Sequence, residues 1–589
     1  MAQAELDLSD LTAQAVDNLV TQFSSSLDFY RELIQNSIDA GSSTVDVWLE
    51  FIAGDADTDE GTIAIHVDDA GEGMSEAIID NQLTRLFASQ KEGDLTKIGK
   101  FGIGFVSVFA PRPKAVLLHT GRDGEYWEVC FDADRSFVKA RLDTPVGGTQ
   151  ITLFLAGDRG RYGELVAASR ETLKRWCTHS DVEVTFEDRS AFDGGALEVV
   201  NEPFAVEGAC SVSVEVEGTT IVAAYHPAPT YGFYNKGLAL AVSRDGPLLL
   251  GDSAPRLAHV AFKVKSRYLE HTLSRDTVVQ DQNFHKVMAM LRRVAAEELQ
   301  GALIRELEAL CGATAWGLAE VERYHALLAF LRREPLAQLD RHSARKILRT
   351  VQGEAMSLDA LVDRARRDRR VYVADAPTEL SGALAQSGVP VLFARRAQAE
   401  GLDAHGPIGP LVAHYLAHRA KASLRGRLAG ALGLADDASF AALISRPERS
   451  LLIVEPVAER GEPEALLDDA VALLKAIGVH YRKVVSARVH RAEQKAPLFV
   501  IADAIRPVMS PPARTHRLLD YFLPPEVAVH RDHDQVRALC ELRQADRALA
   551  AYCLAKDLLL AEDRREDVDL ELMAAALPKL AAGGLGGAK

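Results

Sequence analysis

Glu32, Asn36 and Asp39 stand at intervals of four and three along FYRELIQNSIDA at 29–40, so a helix there carries all three on one face. A carboxylate that can take a proton from water, beside an amide oxygen that can hold a hard cation such as Mg²⁺, is what hydrolysis of a phosphoanhydride requires. Glu and Asn are also ordinary on solvated helix faces, so this segment alone reads equally well as a surface helix. The second segment, DDAGEGM at 68–74, follows the alternating run TIAIHVDD, which predicts a strand handing over to a tight turn. There Asp69 can accept from an exocyclic amine such as that of adenine, while Gly71 and Gly73 let the backbone pass close to a ring. In isolation a DxGxG run is also an everyday acidic turn. In the third segment, KIGKFGIGF at 97–105, Gly99, Gly102 and Gly104 bracket Lys100 and Phe101, and IGFVSVFA predicts a helix. Glycines ahead of a helix offer backbone N–H groups to an anion, here with a spacing that is neither a P-loop nor a dinucleotide fingerprint.

The conjunction and order of the three segments resemble the GHKL ATPases (gyrase, histidine kinase, mismatch-repair and heat-shock chaperone types), and most closely the heat-shock protein 90, or HtpG-type, chaperones. EYWEVCFDADRSFVKARLDTPVGGTQITLFL at 125–155 is similar to the last strands of that family's ATPase domain, with Gly148 and Thr149 at its GT motif. The resemblance implies ATP and Mg²⁺ as ligands. It makes Glu32 the general base, Asn36 the Mg²⁺ ligand and Asp69 the reader of the adenine amine, supported by Thr149. Gly99, Gly102 and Gly104 would wrap the triphosphate and Phe105 would line the pocket. Asp39, Gly71, Gly73, Met74, Lys100, Phe101 and Ile103 complete the implied nucleotide-binding set.

Further along, LEHTLSRDTVVQDQNFHKVM at 269–288 resembles the family's middle-domain catalytic loop, which implies that Arg275 reaches the γ-phosphate. Charge supplied from a second domain and felt only in the transition state couples docking to hydrolysis. The glutamine that follows in the family falls one residue late here, at Gln280. RRVYVADAPTELSGALAQSGVPVLFARR at 369–396 predicts strand, helix, strand, like a unit late in that middle domain. LLKAIGVHYRKVVSARVHRAEQKAPLFVIAD at 473–503 resembles the start of the family's C-terminal domain, and the Ala- and Leu-rich tail is similar to its dimerising helical pair. Helical periodicity by itself fits a helix packed on its own domain equally well.

The resemblance departs in four places. The segment between Met74 and Gly99 is short, the connection AGSSTVDVWLEF after Asp39 is brief, FYNKGLALAVS replaces an arginine-rich strand, and the chain ends GGLGGAK instead of in an acidic tail. ATP binding survives these departures, whereas client chaperoning is where they bear.

With 84 acidic and 67 basic residues the formal charge is −17, which excludes a general nucleic-acid binder relying on counterion release. Six cysteines lie far apart with no CxxC pair, pointing to reduced thiols rather than a disulfide framework or zinc site. MAQAELDLSDL has no basic-then-apolar signal pattern, and no apolar run approaches spanning length; a cytoplasmic protein without membrane or nucleic-acid partners is the expectation. His414 and His418 have metal-pair spacing, but Tyr415 stands where an HExxH site has its glutamate, and HRDHD at 530–534 sits in a polar connection.

The expected fold is α+β and multidomain: a GHKL (Bergerat-type) α/β sandwich at 1–205, an α/β middle domain at 206–455 and a helix-rich dimerisation domain at 456–589. AFDGGALEVVNEP is read as the first linker. The expected function is an ATP-dependent chaperone, a homodimeric clamp acting on client proteins. The alternative is a GHKL switch whose ATP-gated dimerisation serves one dedicated partner. A histidine-type kinase is disfavoured because no phospho-accepting histidine helix precedes the nucleotide domain, which is read as starting almost at residue 1.

Overall fold

A computed structural model describes residues 25–54, 59–83, 104–189, 195–272, 277–368, 370–395, 401–421, 443–447, 451–491, 495–509, 524–561 and 566–583. The chain divides into two compact units, Met1–Leu303 and Ile304–Lys589.

The first unit starts with helix α1, Phe29–Asp39. Its end is set by Gly41 in the left-handed region (φ 70°), with Ser42 N donating to Ser37 O (2.9 Å) and Gly41 N to Ile38 O (3.1 Å), the paired bonds of a Schellman cap. Strand β1, Thr44–Ala53, turns Val45, Val47 and Leu49 inward and leaves Asp46, Trp48 and Glu50 on the other face, as period-two alternation dictates. The remaining strands are β2 (Glu60–Asp69), β3 (Ala115–Arg122), β4 (Glu125–Asp132), β5 (Phe137–Arg141), β6 (Thr149–Asp158), β7 (Glu183–Asp188) and β8 (Glu198–Val199), giving an eight-stranded sheet ordered β5-β4-β3-β6-β2-β1-β7-β8. Helix α2, Arg159–Cys177, packs with α1 on the inner face. Tyr30 Oη donates to Ser169 Oγ (2.9 Å) and the Arg31 guanidinium lies 5.0 Å from the centre of the Trp176 ring. Phe29, Leu33 and Ile34 are buried in the same core as Val166 and Leu173, each worth about 1.5–3 kcal/mol at full burial. That packing fixes the helix bearing Glu32 against the sheet.

Two expectations change. The helix expected from IGFVSVFA is a single 3₁₀ turn, Phe105–Phe109, because Pro111 and Pro113 follow at once and remove the donors and backbone freedom that continuation needs. The stretch read as a linker contributes an edge strand: β8 pairs with β7, Val200 is buried, and Asn201 Nδ2 donates to Ser180 O (3.1 Å) and Val182 O (2.8 Å).

Strands β9 (Ala209–Val216), β10 (Thr219–Tyr225), β11 (Tyr231–Asn235), β12 (Leu238–Ser243) and β13 (Val260–Ser266) make a second sheet ordered β12-β11-β13-β10-β9. Helix α3, Gln282–Val294, starts on the Asp281 cap, whose Oδ1 accepts from Phe284 N (2.9 Å), and the Phe284 ring packs 5.4 Å from Phe233. Tyr234, Leu238 and Ala239 of this sheet belong to the hydrophobic core of the first.

In the second unit the strand–helix–strand reading of 369–396 corresponds to Val371–Ala374, Glu379–Gln386 and Val391–Phe393, with the two strands parallel. A five-stranded sheet joins Leu452–Pro456, Lys483–His490, Phe499–Ala502, Val508–Met509 and Glu526–His530, so residue 455 lies inside a paired strand. Helices Glu462–Ala476, Asp534–Ala545, Arg547–Ala561 and Glu566–Gly583 share a core through Leu466, Leu473, Leu539, Leu554, Leu558 and Leu572. The structure is thus a mixed α+β, multidomain fold with a helix-rich C-terminal region. None of the six cysteines is in a disulfide. Among the described residues no helix is long and apolar enough to cross a membrane, and no group of three or more His, Cys, Asp or Glu could hold a metal ion. His418 Nε2 instead lies 2.9 Å from Asp340 Oδ2.

Candidate functional site

Antiparallel pairing of β2 with β6 sets Asp69 opposite Thr149, and the site grows from that register. Asp69 Oδ1 accepts from Gly71 N (2.8 Å) and Thr149 N (3.2 Å), while Oδ2 accepts from Ser37 Oγ (3.0 Å). Helix α1, the DxGxG turn and β6 therefore converge on one carboxylate. Ser42 Oγ accepts from Ala70 N (2.9 Å) and Ala40 O from Glu72 N (3.0 Å), so the end of α1 holds the turn from a second side. Burial pushes the Asp69 carboxyl above its ordinary range, and the bonds from Gly71, Ser37 and Thr149 pull it back. Its neighbour Asp68 is pushed up to about 7 by burial and by the charges of Asp46 and Asp69, Asp46 being its direct cross-strand partner.

Gly148 has φ +68°, and a Cβ there would stand 1.9 Å from Asp69 O; only glycine lets β6 begin this close to the turn. Gly73 (φ +67°) lies equally tight under Gly121 O, where a Cβ would come within 2.1 Å. Met74 N donates to Thr120 Oγ1 (2.9 Å), which lies 3.0 Å from Gly148 O and 3.2 Å from Thr149 Oγ1. The floor of the site is thus a closed polar network laid on two strands.

Glu32 is 6 % exposed on α1, and its Oε2 would lie 2.7 Å from a Cβ placed on Gly104. The carboxylate therefore rests directly against the backbone at the start of the 3₁₀ turn that follows the Gly-rich segment. Asn36 and Asp39 share its helix but are exposed, and Asp39 is ion-paired to Lys236 of the second sheet. Phe105 is 5 % exposed with its ring 5.5 Å from Phe131, inside the apolar core, and Met74 packs half-buried on that core. Gly99, Lys100, Phe101, Gly102, Ile103 and Arg275 lie outside the described residues. Gln280 is described, just before the Asp281 cap of α3.

Sequence reading passed over Ser37, Ser42 and Thr120. Thr120 had a signal, as the polar member of an inward set with Val116 and Leu118 on β3. A buried hydroxyl in an apolar row must find a partner. The Ser42 role had none, because it depends on the loop meeting a turn 28 residues later.

A buried carboxylate beside the glycine segment fits a proton acceptor near a phosphate chain, and a buried acceptor fed by three donors fits an amine reader. The exposed Asn36 carboxamide fits a hydrated Mg²⁺ ligand, since that ion keeps most of its waters. Residues 29–152 match the family described as histidine kinase-, DNA gyrase B- and HSP90-like ATPase, so this part of the chain is similar to a GHKL-type ATP-binding domain.

Proposed function

We propose that the protein hydrolyses ATP at this site and uses it to run a homodimeric clamp of the heat-shock protein 90 type, acting on incompletely folded client proteins. The observation that carries hydrolysis is the Glu32 carboxylate seated against Gly104, on the same helix whose Ser37 holds Asp69. Asn36 would hold Mg²⁺ with the phosphates, and that ion would supply charge neutralisation to the phosphoryl group. Glu32 takes the proton of the attacking water, Asp69 selects the base, and the Thr120–Thr149 pair keeps Asp69 in register. Arg275 is the residue the reading assigns to the γ-phosphate.

Support for a dimer comes from the second unit. Leu570, Met573 and Leu577 are 71, 46 and 54 % exposed on the helix Glu566–Gly583, and their spacing puts them on one stripe. The buried Leu572 and Ala576 face the core from the other side. A partner protein with client character, rather than nucleic acid or membrane, fits the net charge of −17, and a cytoplasmic site of action goes with this reading.

The test is steady-state ATP hydrolysis and aggregation suppression by the full-length protein, with Glu32→Ala as blank, alongside the triple variant Leu570→Asp, Met573→Asp, Leu577→Asp. The clamp reading expects Glu32-dependent turnover that falls when the triple variant becomes monomeric. Turnover indifferent to the monomer, with no protection of any aggregating protein, would favour the second reading, a switch for one dedicated partner. The core shared by the two sheets of the first unit speaks for that alternative, because it makes them one rigid head.

A further inference from the structure

The turn joining β11 to β12 presses on the nucleotide domain at a point no motif marks. Its Lys236 O accepts from Asp181 N (3.1 Å), and a Cβ on Gly237 would stand 1.7 Å from His179 O. His179 itself is 8 % exposed, on the connection between α2 and β7. Its Nδ1 lies 3.1 Å from Glu202 O and its Nε2 lies 2.7 Å from Lys263 Nζ on β13. A carbonyl only accepts and an ammonium only donates. Nδ1 must therefore carry the ring proton and Nε2 must be bare, so these two contacts define one neutral tautomer.

From this seat the turn reaches α1. Lys236 Nζ pairs with the Asp39 carboxylate in the helix's last turn, where a lone acid would meet the negative end of the helix dipole. Both side chains are nearly half exposed, 43 and 46 %, so the pair contributes little stability and matters by where it holds the helix. The next residue, Ala40, accepts from Glu72 N and abuts Gly71, whose added Cβ would meet Ala40 Cβ at 2.8 Å.

We infer that His179 is a positioning residue for the nucleotide site: by accepting from Lys263 it seats the β11–β12 turn, through which Lys236 holds the end of the helix that carries Glu32 and Asn36. The inference rests on the ATPase reading for its catalytic consequence. A proton on Nε2 would set N–H against the Lys263 ammonium and release the turn. The charged neighbours are Lys263 and Lys265 from β13 and Glu202 from the segment after β8. Asp181 is taken by Lys265 Nζ at 2.8 Å, and the Phe204 and Tyr234 rings stand edge-on at 5.3 and 5.4 Å. Burial and the lysines together hold the His179 imidazole below its ordinary value of 6.5, so the seat is fully intact at pH 6.5 and above and is lost only as pH falls through the lower value the imidazole has in the folded protein.

The test uses full-length protein: kcat and KM for ATP from pH 5.5 to 8.5 in the wild type, His179→Gln, Lys236→Ala and Lys236→Arg. Native amide exchange at residues 235–239, corrected for intrinsic rates, is followed in parallel. The expected results are about a tenfold lower kcat with KM within about twofold for Lys236→Ala, recovery with Lys236→Arg, and an acid limb of kcat that disappears in His179→Gln. The turn amides should lose protection between pH 7.5 and 5.5 in the wild type only. An acid limb retained in His179→Gln, or kcat unmoved by Lys236→Ala, overturns the inference. If wild-type turnover proves absent or independent of Glu32, the ATPase reading fails by itself, and amide exchange then decides the seat: protection that does not change with pH overturns it.

Discussion

Gly104→Ala separates the chemistry of this site from its stability. At φ −61° the Gly104 backbone suits alanine, and such a replacement stabilises by about 0.4–1 kcal/mol by restricting the unfolded chain. The new Cβ, however, meets Glu32 Oε2 at 2.7 Å, against 3.4 Å for ordinary contact, so the carboxylate must retreat by about 0.7 Å. It can do so cheaply, since the obstructed atom is the end of a flexible side chain. A misplacement of ~1 Å at a reacting group costs up to ~10²-fold, which puts the expected loss in kcat near tenfold, or about 1.4 kcal/mol of barrier. Removing the base altogether with Glu32→Gln should cost about 10²–10⁴-fold, and adding Gly104→Ala to that variant should then change little. The assay is phosphate release under saturating ATP, with KM and melting temperature on the same preparations. A Gly104→Ala protein with wild-type kcat would refute the assignment of Glu32 as the base. A lowered melting temperature would refute the claim that the strain is absorbed by the side chain.

Asp69→Asn should fold normally, because an amide at Oδ2 can donate to Ser37 Oγ while that hydroxyl turns to Leu33 O, 3.0 Å away. ATP affinity measured by calorimetry should nonetheless fall by about one to two decades, the loss of one charged hydrogen bond; unchanged affinity would count against Asp69 as the amine reader. Gly148→Ala should destabilise by about 3 kcal/mol or more in urea, as its Cβ is driven toward a backbone carbonyl at positive φ; a stable variant would contradict the described register. Asp68, raised to about 7 from an unfolded 3.8, favours folding below pH 4, and that benefit is lost as pH rises through 7. Asp68→Asn should therefore stabilise by roughly 1–2 kcal/mol at pH 8, after allowance for partial exposure, and make no difference near pH 3.5. Equal melting curves for the two proteins at pH 8 would show that neither burial nor the charges of Asp46 and Asp69 penalise the Asp68 carboxylate.

The sequence made the local chemistry readable and left its assembly hidden. Glu32 and Asp69 could be singled out from a helix face and a strand end, and Thr149 from the resemblance to a GT motif. The inward alternation of Val45, Val47 and Leu49 marks β1 in the same way. What could not be read was which hydroxyl would meet Asp69, since Ser37 reaches it only after a Schellman turn and the two antiparallel strands β1 and β2 bring residue 69 back to residue 37. The edge strand inside AFDGGALEVVNEP was hidden for the opposite reason: two residues of pairing and one Asn side chain anchor it, too short a pattern to outweigh its glycines. Nothing in the sequence marks Lys236, whose partner lies 197 positions earlier.

The junction between the two sheets limits where any nucleotide-driven movement can occur. Tyr234, Leu238 and Ala239 are 6, 3 and 1 % exposed within the core of the first sheet. Stripping the tyrosine and leucine from it would cost about 3–6 kcal/mol, before any loss at His179 or Gly237. ATP could drive that separation only by binding the parted form more tightly by the same amount, ~10²–10⁴-fold, yet parting would also pull Lys236 from the helix that carries Glu32. Binding energy is better used against a contact that costs less to break. ATP should therefore leave the amides of β11 and β12 as protected as before, and exchange that rises across both strands on ATP binding would show that the two sheets do part.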